Sequence, residues 1–242
     1  MQLGGRVALV TGAGHRVGRA LAVALGVEGM RVAVHYRDTD DGARETARLI
    51  TAAGGQADVF HADLGERGAP ARLLADVAAR LGAPHVLVNS AAVMQRTPVD
   101  EVTEEQWDAM FALNLRAPFF LTQAAARVMP DGGAVVNIAD LAAFETWPAY
   151  VPHGISKAGV VQMTRALARA LAPRIRVNAI APGAVLLPNG WTERDAERLV
   201  STTPLGRLGS PTDVVRAMLF LLEADYVTGE TIIVDGGRHV RT

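Results

Sequence analysis

Asp140, Tyr150, His153, Ser156 and Lys157, side chains able to hold or move a proton, are gathered within the eighteen-residue run DLAAFETWPAYVPHGISK. His153 and Lys157 are four residues apart, a spacing that places both on one face of a helix. An ammonium beside an imidazole disfavours the imidazole's charged form, whereas a carboxylate favours it, so Asp140 could keep His153 protonated against the pull of Lys157. Tyr150 offers a phenol, ordinarily titrating at about 10 against about 6.5 for histidine, as another source of a proton. The stretch reads as a proton-transfer site, and the rest of the chain must say what it serves.

The elements that would position these groups alternate regularly. Arg6 to Thr11 is an apolar, β-branched run that stops at Gly12, and Val17 to Glu28 has helical spacing of its apolar residues. A strand from Arg31 to Tyr36 completes a βαβ unit. The rhythm continues with a helix from about Asp40 to Ala53, a strand at Gln56–His61, a helix at Pro70–Leu81 and a strand at His85–Asn89. Thr103 with Gln106 forms a capping-box signature that opens a long helix to about Met129, which Pro118 should kink. A strand at Ala134–Ile138 precedes the proton-transfer stretch. A helix from about His153 to Ala172 follows it, with Pro152 at the first turn. Ile175–Ile180 is a further strand, Ser210 and Pro211 open a helix through Leu222, and TIIVDGG is the final strand. Runs such as VLVN are apolar on both faces, as parallel strands covered on both sides must be. The fold class is therefore α/β: a single-domain, Rossmann-type, doubly wound parallel sheet spanning 1–242, with helices on both faces. The irregular segment at about 185–207 is the expected substrate lid.

Composition narrows the partners. At 242 residues, half of them apolar, the chain can bury a full core as one domain. A net charge of −1 without charged runs argues against nucleic acid and against a lipid-binding patch, leaving a small molecule as the expected partner. No cysteine is present, which removes disulfides and thiolate chemistry. The start lacks a basic segment followed by an apolar one, and no apolar run is long enough to span a membrane, so the expected location is cytoplasmic. His15, His35, His61, His85 and His239 show no metal-ligand spacing, and no metal is expected.

In TGAGHRVG, Gly12, Gly14 and Gly18 lie between the first strand and the first helix, with His15, Arg16 and Val17 among them. There a helix N-terminus can hold a pyrophosphate and small residues let the backbone approach it. Strand two ends in His35, Tyr36 and Arg37, with no carboxylate at the position expected to face the adenine ribose. Arg16 and Arg37 can both approach that ribose, so charge complementarity favours NADP(H).

The chain resembles the short-chain dehydrogenase/reductase family over nearly its whole length. The resemblance rests on TGAGHRVG at 11–18, Asp63-Leu64 after strand three, NSAA at 89–92, Asn114, the 140–157 stretch, Pro182-Gly183 and VTGETIIVDGG. It implies that Asp63 and Leu64 flank the adenine, that Asn89, Ser90 and Ala91 line the cofactor, that Lys157 holds the nicotinamide ribose and that Pro182 and Gly183 border the nicotinamide. It also implies a homotetramer built through the two long helices and the last strand. Arg16 where a glycine is usual, the HYR after strand two, and Asp140 where a serine is usual look like the pteridine reductase branch, whose members reduce pterins with NADPH. In that reading Arg16 also meets the substrate, and Met94 stands where several such enzymes have a stacking aromatic residue.

The family's acid is a tyrosine four residues before the lysine, and here that position is His153. Hydride transfer to C=O or C=N leaves negative charge that must be protonated. The expected roles are His153 as proton donor, Asp140 as its partner, Lys157 as ribose anchor and Asn114 as a water-holding relay, with Tyr150 and Trp191 near the substrate. Tyr150 as the donor is an alternative. So are a general carbonyl, ketoacyl or sugar reductase, and an NADPH-binding protein with weak or no catalysis.

Overall fold

The computed structural model describes residues 1–187, 190 and 192–240. Seven parallel strands form one sheet in the order β3-β2-β1-β4-β5-β6-β7. They are β1 (Val7–Val10), β2 (Arg31–Tyr36), β3 (Gln56–His61), β4 (Val86–Asn89), β5 (Gly133–Ile138), β6 (Ile175–Pro182) and β7 (Thr231–Val234). The helices are α1 (Arg16–Val27), α2 (Asp40–Ala52), α3 (Ala69–Leu81), α4 (Glu104–Phe111), α5 (Ala117–Val128), α6 (Val151–Leu171), α7 (Glu193–Ser201) and α8 (Pro211–Glu223). The Rossmann-type α/β architecture is as expected, with element ends shifted by one to three residues.

Strand alternation divides the core into two layers. Ala8, Val10, Val32, Val34, Val86 and Val88 meet residues of α1, α2 and α8 on one face. Val7, Leu9, Ala33, Leu87 and Val135 meet α3 and α5 on the other. Leu9, Leu21, Leu87 and Leu121 are withdrawn completely from water, each contributing about 1.5–3 kcal/mol of transfer free energy before the entropy of ordering is set against it.

The long helix expected from Thr103 to Met129 is instead two helices joined by a π-helical turn at Ala112–Arg116, with Pro118 in the first turn of α5. The irregularity anticipated at the proline lies just before it. Proline has no N–H, so Pro118 cannot donate to the carbonyl of Asn114, and the backbone widens where that bond would form. The Thr103–Gln106 capping box is present, with Gln106 N–H donating to Thr103 Oγ1 at 3.3 Å. Ser210 and Asp213 form another at the start of α8.

Strand order reverses direction between β1 and β4, which opens a crevice at their carboxyl ends. Thr11 pins this point. Its Oγ1 accepts from the N–H groups of Ser90 at 2.9 Å and Ala91 at 3.0 Å, tying the end of β1 to the end of β4.

Candidate active site

A cavity of about 870 Å³ occupies the crevice. Of the residues singled out from the sequence, its wall includes Gly12, His15, Arg16, Val17, Gly18, His35, Tyr36, Arg37, Leu64, Ser90, Ala91, Met94, Asp140, Tyr150, His153, Lys157, Pro182 and Gly183. Asp63, Asn89 and Asn114 are not on the lining. Asp63 accepts from Gly65 N–H, and the Asn89 amide donates to Thr122 Oγ1 and Asn137 Oδ1. Trp191 lies outside the described residues.

The glycine loop fits a pyrophosphate. Gly12 takes φ +65°, and a Cβ on it would meet Ala91 Cα at 2.9 Å, while a Cβ on Gly18 would collide with the Gly12 carbonyl. The N-terminus of α1 has no side-chain cap and no acid in its first turn, so its N–H groups and dipole are left for an anion. Two buried supports set the loop. His35 Nδ1 accepts from Gly12 N–H at 3.1 Å, which leaves the proton on Nε2, 3.0 Å from the Ala62 carbonyl. Burial lowers this imidazole's pKa to about 4, keeping it neutral for that role. Arg19, which the sequence pattern does not mark, donates to the Gly14 carbonyl at 2.6 Å.

Just beyond β2 the wall also carries a carboxylate. Asp38 and Thr39 line the wall beside Tyr36 and Arg37, and Asp38 pairs with Arg37 at 2.6 Å. That carboxylate stands one residue beyond the basic one, where the chain bends out of β2.

Around His153 and Lys157, the Asn114 side chain clamps the backbone of Val93, accepting from its N–H at 2.8 Å and donating to its carbonyl at 2.9 Å. Its second amide hydrogen points to Ser156 Oγ at 3.1 Å. Asn114 thus shapes the wall. The same Val93 carbonyl lies 3.2 Å from His153 Nδ1. A carbonyl only accepts, so Nδ1 carries the proton, and Nε2 is buried with no hydrogen-bond partner among the described residues, 3.7 Å from Asp140 Oδ2. Donation toward the cavity consequently requires a second proton on Nε2. Asp140 Oδ1 is held by Ala142 N–H at 2.8 Å, which fixes the carboxylate opposite the ring. Lys157, the chain's only lysine, donates to the Ile138 carbonyl at 2.9 Å. Burial brings its pKa down to about 8, with Asp140 opposing the shift. Tyr150 caps α6 with its ring edge-to-face on Trp147 at 6.3 Å.

Part of the wall comes from the chain's C-terminal third. Arg16 adopts φ +51° and donates to the carbonyls of Leu186 at 2.9 Å and Leu187 at 3.1 Å. Its guanidinium is engaged by the segment leading into α7, which also supplies Arg198 and Leu199 to the wall. Arg238, just beyond β7, reaches the cavity as well. Neither Arg198 nor Arg238 carries a local sequence signal, since their places follow from how distant segments close over the crevice.

A phosphate-ready glycine loop at the β1/β4 switch point and a histidine-lysine pair on the opposite wall are the setting, and residues 12–239 match the family model described as enoyl-(acyl carrier protein) reductase. The chain belongs to the short-chain dehydrogenase/reductase family. It is accordingly an oxidoreductase of that family. Among family members, it is 37% identical to 3beta-hydroxysteroid dehydrogenase 1 of Eggerthella lenta, over 97% of this chain and 94% of that protein. The solved FolM alternative dihydrofolate reductase 1 of Brucella canis, complexed with NADP, is 35% identical with a TM-score of 0.94, covering 100% of this chain and 96% of that one. The angucycline C-6 ketoreductase LanV with bound NADP is 36% identical with a TM-score of 0.92, covering 99% and 98%.

Proposed function

We propose that the chain is an NADPH-dependent reductase acting on a C=N or C=O bond, with a dihydropterin as the substrate class. The observation that carries the reading is the His153–Asp140 pair beside Lys157, set on the wall of a cavity whose other end is a pyrophosphate cradle. NADPH supplies the hydride when bound. The α1 N-terminus and Gly12–Gly18 would hold its pyrophosphate, Arg37 its 2′-phosphate and Lys157 its nicotinamide ribose. The NADP present in FolM and LanV supports this cofactor despite Asp38.

His153 performs the proton transfer. Val93 fixes the ring through Nδ1–H, so a protonated ring presents Nε2–H, and donation leaves the neutral Nδ1–H form already satisfied by the carbonyl. Asp140 faces the Nε2 edge of the ring at 3.7 Å. Met94, about two-fifths exposed, gives apolar cover to a ring lying over the pocket. The 185–207 segment serves as the lid, latched by Arg16. A ketone of a fused-ring substrate is the second reading, favoured by the similarity to LanV.

The test is NADPH oxidation with dihydrobiopterin and dihydrofolate against fused-ring ketones and simple ketones. The expected result is preferred turnover of a dihydropterin and a fall of at least about 100-fold in kcat for His153→Ala, with NADPH affinity retained and Tyr150→Phe active. Turnover of ketones alone would move the assignment to the second reading, and full activity of His153→Ala would remove the histidine from it.

A further inference from the structure

The far wall of the cavity holds a cation that the reaction does not use. Arg238 follows the glycines that close β7, in a turn organised by Asp235, whose carboxylate accepts from the N–H groups of Gly237 at 2.9 Å and His239 at 2.7 Å. The same turn is packed beneath the lid: a Cβ on Gly236 would meet Thr203 Cγ2 at 2.7 Å, and Leu205 N–H donates to the Gly236 carbonyl. From this seat the Arg238 side chain crosses to Glu145, where Nε lies 3.9 Å from Oε2. That carboxylate oxygen is also bound by Trp147 Nε1–H at 2.8 Å.

The pairing is loose and incomplete. Arg238 Nε is buried without a hydrogen-bond partner among the described residues, and the side chain is only 18% exposed. A guanidinium has five donors, and one carboxylate at that distance cannot satisfy them. Nε is the guanidinium nitrogen nearest Glu145, and Arg238 and Trp147 both line the cavity. Glu145 thus stands against both the cation and the indole, and one carboxylate at 3.9 Å leaves guanidinium donors for a further acceptor.

We infer that Arg238 is a specificity-determining residue that binds a carboxylate on the substrate, remote from the bond being reduced, with Glu145 and Trp147 as its positioning residues. The planar fork matches a carboxylate through two parallel hydrogen bonds, and the partly desolvated setting strengthens them. The inference rests on the cavity being the reductase site, and it adds an acidic group to the substrate class proposed above.

Two matched pairs of probes test it: dihydrofolate, whose tail ends in carboxylates, against dihydrobiopterin, which has none; and benzoylformate against its methyl ester. Each is titrated calorimetrically into the NADP-loaded protein, wild type and Arg238→Ala, so that the readout does not depend on turnover. The wild type should bind the acid of at least one pair about tenfold more tightly than its neutral partner. Arg238→Ala should erase that preference while leaving the neutral compound's affinity and the NADPH affinity unchanged, and Arg238→Lys should restore part of it. Absence of a carboxylate preference in the wild type, or its survival in Arg238→Ala, overturns the assignment. So does a loss of NADPH affinity in that variant, which would place the guanidinium on the cofactor. A carboxylate preference without NADPH oxidation of any probe would instead support the subsite and count against the reductase reading.

Discussion

Lys157 sets a functional demand against stability. Its pKa is lowered from 10.5 to about 8, chiefly by burial, so between those values the unfolded chain binds more protons than the folded one, and stability gains from rising pH across that window. Below about pH 8 the folded state carries the buried charge at a constant cost of roughly 3 kcal/mol. Lys157→Met is therefore expected to be more stable than wild type at pH 7 by about 1–3 kcal/mol, an advantage that shrinks between pH 8 and 10.5. Urea unfolding at a series of pH values measures this, and a less stable variant at pH 7 would mean that the Nζ bond to the Ile138 carbonyl outweighs desolvation. At this scale the sequence was legible where chemistry is local. His153 and Lys157 are brought together by helical spacing alone, and Asp140 by the short turn before the helix. The Val93 carbonyl that fixes the His153 tautomer was not legible, because a backbone group has no letter of its own. Arg238 was not either, since it meets Glu145 only through tertiary closure.

The proposed lid illustrates how an element can hang on one backbone conformation. Arg16 sits in the left-handed region at φ +51°, where a residue with a Cβ is disfavoured by about 1 kcal/mol or more. Arg16→Gly should relieve that strain and leave global stability within about 1 kcal/mol of wild type, while removing both bonds to the Leu186 and Leu187 carbonyls. The freed segment should then be cut faster by trypsin after Arg194 and Arg198, and limited digestion followed by mass spectrometry would show it. Equal cleavage rates would mean that α7 is held by Leu199 and Thr203, both buried, and not by the arginine. Strands and helices were readable because the apolar period changes from two to about 3.6 at each boundary. The π-helical turn was not, because Pro118 announces a lost hydrogen bond without saying how the preceding turn will widen. Its consequence reaches the site, since the turn carries Asn114 and hence the Val93 clamp.

For the molecule as a whole, an apolar groove of about 1050 Å³ lies between α4, the π-helical turn, α5 and α6, lined by Phe111, Leu115, Phe119, Phe120 and Met163 among others. Phe119 and Phe120 are 38% and 47% exposed, and Phe220 on α8 is 53% exposed. Such faces fit the homotetramer proposed from the family resemblance. Light scattering should give a tetrameric mass, and Phe120→Glu should reduce it by placing a charge in the apolar contact; a monomeric wild type at micromolar concentration would refute the assembly. The sheet itself was readable from the βαβ rhythm, whereas the groove depends on which helix faces meet and which remain uncovered. Because Lys157 is the only lysine of the 242 residues, a sample grown on lysine labelled at Nζ alone would carry a single side-chain resonance. The charge state of the active site, with and without cofactor and substrate, could be followed by magnetic resonance in the native protein, without substitution or assignment.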